Sequence, residues 1–386
     1  MIALDRVPQI TQGAGALEQL GTLVKGLKLK GLKSPRSVLL VADPGLKSTG
    51  MIASAERALR SAGLAVTVFD GVESDPSMAQ ADSTAELARR ERAQSVVALG
   101  GGSAMDLGKT VAAIAGATAS SSHYGLGANP FPAARLVSVC VPTTSGTGSE
   151  ATRTAVLSDA AHAKVWLWGD ALKADAILLD PAVTAGLPPH LTAATGIDAL
   201  VHAIEASTNR NANAANDMYC LEAIRLVAKH LRRAVNVPGD LTARGFLQWA
   251  ATFAGIGIDN CGTAIAHNIG HALASLRPIH HGRAVGIALR ATLPWSVADD
   301  HAAYAAAAGA MGEAADARRL PQAFDRLLRE VGVKVSLAGE GHDHITAAQL
   351  AEQMALPANE PMRRSNRREV RDQDLIEFAA AVLESA

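Results

Sequence analysis

Ser95-Val-Val-Ala-Leu99-Gly100-Gly101-Gly102-Ser103-Ala-Met-Asp106-Leu-Gly-Lys109 holds a strand, a turn and the start of a helix in direct succession. The first five residues are small or aliphatic and uncharged, the signature of a strand buried on both faces. Three glycines interrupt the pattern, and from Ala104 the apolar positions recur at helical spacing. The same alternation extends outward. Residues 37–42, 65–69 and 136–141 read as further apolar strands, with helical patterns at 14–25, 49–62 and 78–93. Short strands alternating with helices predict a parallel sheet covered by helices. Such a sheet takes ligands at the carboxyl ends of its strands.

Strand-like pattern fades after Ala176-Ile-Leu-Leu-Asp180, and Asp180-Pro181 with Leu187-Pro188-Pro189 punctuates the chain. A boundary near 185 separates two halves. Beyond it the pattern is helical at about 191–208, 214–235, 241–257, 262–275, 284–309, 320–331, 346–355 and 373–384. The expected architecture is an α/β N-terminal domain with a Rossmann-like parallel sheet (1–185), then an all-α C-terminal domain (186–386). A chain of 386 residues has room for two cores.

Hydrophobic residues make up 48% and aromatic ones only 3%, so both cores must be aliphatic. A net charge of −1 offers no attraction to nucleic acid or an anionic membrane. No apolar run reaches membrane length, and Met-Ile-Ala-Leu-Asp5-Arg6 lacks a secretory layout. Cys140, Cys220 and Cys261 are scattered and odd in number, as suits reduced thiols used for packing. These features predict a cytoplasmic protein. The basic cluster Arg363-Arg364-Ser-Asn-Arg367-Arg368 reads as a solvated loop face.

The glycine turn offers a place for a pyrophosphate. Glycines allow close backbone approach, and the N–H groups opening the next helix complement negative charge. A purely structural turn would use the same residues. The ending Gly108-Lys109-Thr110 also brushes against a P-loop, with Asp180 as the magnesium-side carboxylate. However, Ser103 stands where that motif needs its first glycine. Asp43, at the tip of strand 37–42, could accept hydrogen bonds from a ribose 2′-hydroxyl and repel a 2′-phosphate, which predicts NAD over NADP. It precedes the glycines, the reverse of the usual order, and Asp43-Pro-Gly is equally a turn former. Pro142-Thr143-Thr144-Ser-Gly-Thr147-Gly-Ser-Glu150, directly after strand 136–141, supplies hydroxyls and glycines for a phosphate or nicotinamide pocket.

Metal-ligand chemistry is concentrated in Thr195-Gly-Ile-Asp198-Ala-Leu-Val-His202-Ala-Ile-Glu205, His267-Asn-Ile-Gly-His271 and His280-His281-Gly282. On a helix, Asp198 and His202 share a face about 5–6 Å apart at Cβ. A carboxylate inside an apolar helix is costly without a cation or several donors. N and O ligands of this kind suit one divalent ion at about 2.0–2.2 Å. His123, His162, His190, His230, His301, His342 and His344 lack such company and read as structural or exposed.

With these motifs the chain resembles the iron-containing (group III) alcohol dehydrogenases of the dehydroquinate-synthase-like superfamily. The resemblance rests on Gly100-Gly-Gly-Ser-x-x-Asp106-x-x-Lys109, Pro142-Thr-Thr-x-Gly-Thr147-Gly-Ser-Glu150, Gly196-x-Asp198-Ala-Leu-x-His202-Ala-x-Glu205, and His267-x-x-x-His271 with His281-Gly282. It implies a dehydroquinate synthase-like fold. It also implies metal ligands Asp198, His202, His267 and His281, with His271 as a non-ligand histidine beside the nicotinamide and substrate. For NAD it points to Asp43, Gly101, Gly102, Ser103, Asp106, Thr143, Thr144, Thr147 and Lys164. The departures are His271-Ala-Leu-Ala274 for His-Pro-Leu-Gly, a doubled His280-His281 for Pro-His, and Asn366-Arg-Arg368 for Asn-Pro-Arg. They alter pocket walls, and the spacing from His267 favours His281 over His280.

The expected reaction is reversible hydride transfer between a small alcohol or aldehyde and NAD, on Fe2+ or alternatively Zn2+. His271 would carry the proton, in a homodimer or larger assembly. Rival expectations are a lyase that recycles NAD, as in dehydroquinate synthase, a metal-free branch like maleylacetate reductase, a reductase of acidic aldehydes steered by Arg153 or Arg277, and a nucleotide-responsive binding module.

Overall fold

The computed structural model describes residues 4–27, 34–161, 163–299, 302–342 and 344–384. His162 and His301, read above as structural or exposed, lie outside the described residues. The chain forms two compact units. Among the described residues, the first comprises Arg6–Thr144 and Ser149–Gly186, and the second residues 4–5, Ser145–Gly148 and 187–384.

The first unit is built on a six-stranded, wholly parallel sheet: β1 (Gln9–Gln12), β2 (Ser37–Ala42), β3 (Ala65–Phe69), β4 (Ser95–Gly100), β5 (Val137–Pro142) and, later in the chain, β8 (Ala176–Leu179). Helices α1 (Leu20–Gly26), α2 (Met51–Ser61), α3 (Met78–Arg90) and α4 (Gly102–Ile114) alternate with the strands, and α5 (Pro181–Thr184) follows β8. The strand order β1-β8-β5-β4-β2-β3 reverses direction between β2 and β4. At such a switch point the two carboxyl ends splay and leave a crevice. Ala42 pairs with Leu99 and Gly100 with Pro142. Asp43, Gly100–Gly102 and Thr143–Thr144 therefore share one edge.

Three strands escape the sequence pattern. β1 is a short polar edge strand, Gln-Ile-Thr-Gln, with no apolar run to mark it. β6 (Thr154–Ser158) and β7 (Lys164–Trp168) form a separate antiparallel hairpin.

The second unit is helical: α6 (Pro189–Thr208), α7 (Ala214–Asn236), α8 (Leu241–Cys261), α9 (Ile265–Leu276), α10 (His281–Ser296), α11 (Ala302–Ala310), α12 (Leu320–Glu330), α13 (Ala347–Met354), α14 (Glu360–Ser365) and α15 (Asp372–Glu384). The single helix expected over 284–309 is two, because Pro294 removes an N–H near the end of α10 and a 3-10 turn follows at Val297–Asp299. α6 is buried continuously from Thr192 to Thr208, as a helix apolar on all faces must be. It packs against α7, α8 and α10 around Ile197, Leu200, Ile204, Leu231 and Leu247.

The arginine cluster is a solvated face only at Arg364; Arg363, Arg367 and Arg368 serve backbone carbonyls. Arg367 donates to the carbonyls of Thr208 (2.8 Å) and Asn209 (2.7 Å), where α6 ends with its acceptors unmet. Arg368 donates to Trp295 O at 2.7 Å and lies 3.9 Å from the Trp295 ring centroid.

Candidate metal centre

α6 carries Asp198 and His202 on one face, α9 brings His267, and α10 opens on His281. One nitrogen or oxygen from each of the four lies within 4.8 Å of every other. His281 Nε2 is 3.5 Å and His202 Nδ1 3.8 Å from Asp198 Oδ1. The His202 and His267 rings stack at 4.5 Å between centroids. His280 is not part of this group. Gly282 lets α10 start here, since a Cβ at that position would stand 2.1 Å from Ala194 O of α6.

Asp198, His202 and His267 are buried, while His281 is partly exposed at the rim. Asp198 Oδ1, His202 Nδ1 and His267 Nε2 are buried without a hydrogen-bond partner. Each such orphan costs about 1–3 kcal/mol, and an uncompensated charge costs more. Burial pushes the His202 pKa down to about 3, against the pull of the Asp198 carboxylate. It also holds His267 well below the ordinary range and raises Asp198. Both imidazoles are thus neutral with free lone pairs, the state a divalent cation requires of its ligands. One carboxylate and three imidazoles fit Fe2+ or Zn2+.

Around this cluster, His202 is held by a hydrogen bond with the Gly146 backbone. The segment Ser145–Gly148, including Thr147, packs with the helical unit. Its Gly148, at φ +63°, lies so close to α8 that a Cβ would come within 2.5 Å of Gly255 Cα. His271 stays outside the group of four, half-buried, with ring centroids 5.4 Å from His281 and 6.2 Å from His267. Sequence reasoning assigned no role to Glu205. Its Oε2 shares a 2.5 Å hydrogen bond with His267 Nδ1. The available signal was a second acid, three residues past His202, inside an apolar helix.

In the sheet unit the predicted cofactor residues divide. Gly100 has φ +155°, and a Cβ there would meet Ala104 Cβ at 2.6 Å and Asp43 Cβ at 3.0 Å. Asp43 therefore lies directly against the glycine turn, one carboxylate oxygen accepting from Gly45 N at 2.8 Å. Gly101 and Gly102 open α4, whose N-cap Gly101 has no side-chain cap. Thr143 donates its N–H to Gly100 O at 2.9 Å, and the Thr144 side chain faces Gly101. Ser103 Oγ donates to Ser74 O, and Lys164 pairs with Asp75. Asp106 accepts from Ser149 Oγ and from Val156 N, tying α4 to the hairpin. Asp180 is no magnesium ligand in waiting, because Gly15, Leu17 and Ala182 N–H groups occupy its oxygens. Arg153 lies over the Trp168 ring at 4.7 Å.

A glycine turn at the switch point of a parallel sheet, in a chain with an Asp/His/His/His cluster, offers one place for a nucleotide and another for a divalent cation. Residues 8–181 match the family model "Iron-containing alcohol dehydrogenase", and 192–383 match the "Fe-containing alcohol dehydrogenase family, C-terminal" model. The chain belongs to the iron-containing alcohol dehydrogenase family. It is 33% identical over 338 residues to long-chain-alcohol dehydrogenase 1 of Geobacillus thermodenitrificans, covering 85% of this chain and 84% of that one. Among solved structures it is similar to a 1,3-propanediol oxidoreductase (30% identity, TM-score 0.89, all of both chains). It is also similar to sulfoacetaldehyde reductase from Bifidobacterium kashiwanohense in complex with NAD+ (26%, 0.89, all of both chains). The chain is accordingly an NAD-dependent, metal-using alcohol dehydrogenase that acts on a small-molecule alcohol or aldehyde. No helix among the described residues is long and apolar enough to cross a membrane.

Proposed function

We propose that Asp198, His202, His267 and His281 hold the catalytic cation, and that His271 handles the proton in reversible oxidation of a small alcohol. The observation that carries this is the convergence of three buried, unpartnered ligand atoms with His281 Nε2 on one point. Bound there, Fe2+ or Zn2+ supplies a Lewis acid for the substrate oxygen, and NAD supplies the hydride acceptor. Burial keeps the His202 and His267 rings unprotonated, so no proton competes for those lone pairs. His271, half-buried beside His281, takes the alcohol proton on its imidazole and passes it toward solvent.

In this reading residues 1–185 are the NAD-binding domain and 186–386 the metal and substrate domain. Backbone N–H groups of Gly101 and Gly102 take the pyrophosphate, and Asp43 takes the ribose. Ser103, Thr143, Thr144, Thr147 and Lys164 border the cofactor. Asp106 serves from behind, by fixing α4. The protein acts in the cytoplasm, in keeping with three free, buried thiols. It acts as a homodimer or larger assembly, which gives Met218, Leu241 and Phe246, exposed on α7 and α8, a surface to pack against.

His267→Ala tests the reading. The expected outcome is loss of bound metal by elemental analysis and a fall in turnover of at least about a thousandfold, the several kcal/mol a Lewis acid contributes. NAD affinity should be retained. Full activity in the variant would remove the ligand assignment. Wild-type turnover without NADH accumulation on any alcohol would instead favour a lyase that recycles its cofactor.

A further inference from the structure

We propose that Glu205 is a positioning residue: from α6 it fixes both the start of α9 and the tautomer of His267, and so sets how tightly the site binds its metal. The inference rests on the metal reading above and concerns a side chain outside the group of four. Glu205 lies seven residues after Asp198 and three after His202, on the same buried helix. Its Oε2 shares a 2.5 Å hydrogen bond with His267 Nδ1 and accepts from Ala264 N at 2.9 Å, and its Oε1 accepts from Ala266 N at 2.7 Å. Both side chains of the Glu205–His267 pair are only 3% exposed.

Two consequences follow from this geometry. First, α9 begins at an N-cap, Ala264, that has no side-chain oxygen to offer its own first turn. Glu205 supplies acceptors from another helix, to the N–H of the cap residue Ala264 and to that of Ala266, which a side-chain cap would serve. The backbone that carries His267 is thereby tied to the helix that carries Asp198 and His202. Second, a neutral imidazole has one N–H and one lone pair. Two backbone N–H groups aimed at the Glu205 oxygens favour the carboxylate as an acceptor, which assigns the proton to Nδ1 and the lone pair to Nε2. That Nε2 is the buried, unpartnered atom within the cluster. In the other tautomer the proton would occupy the place of the cation. Carboxylates that hold a metal-bound histidine in this way change affinity or activity by about 10–100-fold when removed.

Glu205→Gln separates this role from simple capping. Glutamine keeps an acceptor oxygen for Ala266 N–H, but its amide nitrogen, in the place of Oε2, donates to Nδ1, drives the proton onto Nε2 and leaves Ala264 N–H without its acceptor. Apparent affinity for Co2+ and Zn2+, measured by chelator competition on the full-length protein, should fall about 10–100-fold. The metal-free melting temperature should fall less than in Glu205→Ala, since one of the two α9 N–H groups keeps its acceptor. Glu205→Ala should lose affinity and melting temperature together. A folded Gln variant that binds both ions within twofold of wild type would overturn the proposal while leaving the ligand set standing, whereas a wild type that binds neither ion would overturn both. Should the Gln variant fail to fold, 15N-histidine spectra of the metal-free wild type decide. Protonated Nδ1 on His267 supports the assignment, and protonated Nε2 defeats it.

Discussion

α4 and α6 make the same offer in sequence and use it differently in space. Each carries an acid and a base about one turn apart among aliphatic residues: Asp106, partly buried, and Lys109, buried, in α4, and Asp198 and His202, both buried, in α6. In α4 every valence is spent inside the protein. Lys109 Nζ donates to the carbonyls of Ser149 (2.8 Å), Thr152 (3.3 Å) and Thr154 (2.6 Å), and Asp106 accepts from Ser149 and Val156. In α6, Asp198 Oδ1 and His202 Nδ1 are left over. A buried acid–base pair is therefore not itself a site. What marks one is capacity for bonding that the fold leaves unused.

If that distinction holds, removing Lys109 damages the fold and spares the metal. Lys109→Met leaves three buried carbonyls and the Asp106 carboxylate without their cation. Breaking a buried charged network from one side costs about 3–5 kcal/mol. Urea denaturation should show a loss of that size, while the folded fraction keeps its full metal content. Metal lost without stability lost would place Lys109 with the chemistry rather than the scaffold and collapse the contrast with α6.

The same contrast explains which features were legible in sequence. Strands β2 to β5 and the long helices follow from local periodicity, because burial on fixed faces is written in the order of residues. The four metal candidates follow from ligand type and spacing. Asp106 could not be told from Asp198 in that way, since the difference lies in Ser149 and Val156, more than forty positions along the chain. Glu205 went unassigned for the same reason, its partner being His267 on another helix. Arg367 and Arg368 look like a solvated cluster until the carbonyls they serve, at the ends of α6 and α10, are known. β1 and the β6–β7 hairpin lack the continuous apolar run by which buried strands announce themselves.

The nucleotide turn offers a third condition, since its chemistry is backbone and there is no side chain to orphan. Gly101 permits a clean test. It has φ −81°, and an added Cβ would meet only the Thr144 side chain at 3.5 Å, an ordinary contact. The fold itself should tolerate Gly101→Ala, with stability unchanged or slightly raised. A dinucleotide lying against that backbone would not. NAD affinity, read from NADH fluorescence, should weaken at least about tenfold, or 1.4 kcal/mol, with metal content untouched. Unchanged affinity would move the pyrophosphate away from this turn.

The smallest effect belongs to charges that are partnered and also solvated. Glu340 accepts from Arg283 at 2.5 Å and from Lys334 at 2.7 Å, and these hydrogen bonds, Arg283 first, hold its carboxyl down to about 2. Its side chain is 32% exposed, so water and salt discount the pairing. Glu340→Gln should cost only about 0.5–1 kcal/mol near neutral pH. With the folded pKa below the unfolded one, the unfolded chain binds the extra proton between pH 4.5 and about 2. Stability from this group is thus complete above pH 4.5 and lost as the pH falls toward 2. The gap in urea midpoint between wild type and Glu340→Gln should narrow across that window and in high salt. A gap that stayed constant would mean that Arg283, which also donates to the carbonyls of Lys334 and Ser336 at 2.6 Å each, holds residues 334–340 by hydrogen-bond geometry alone. Surface pairs would then obey the rule seen in α4, that a satisfied network matters for the bonds it completes and not for the charge it carries.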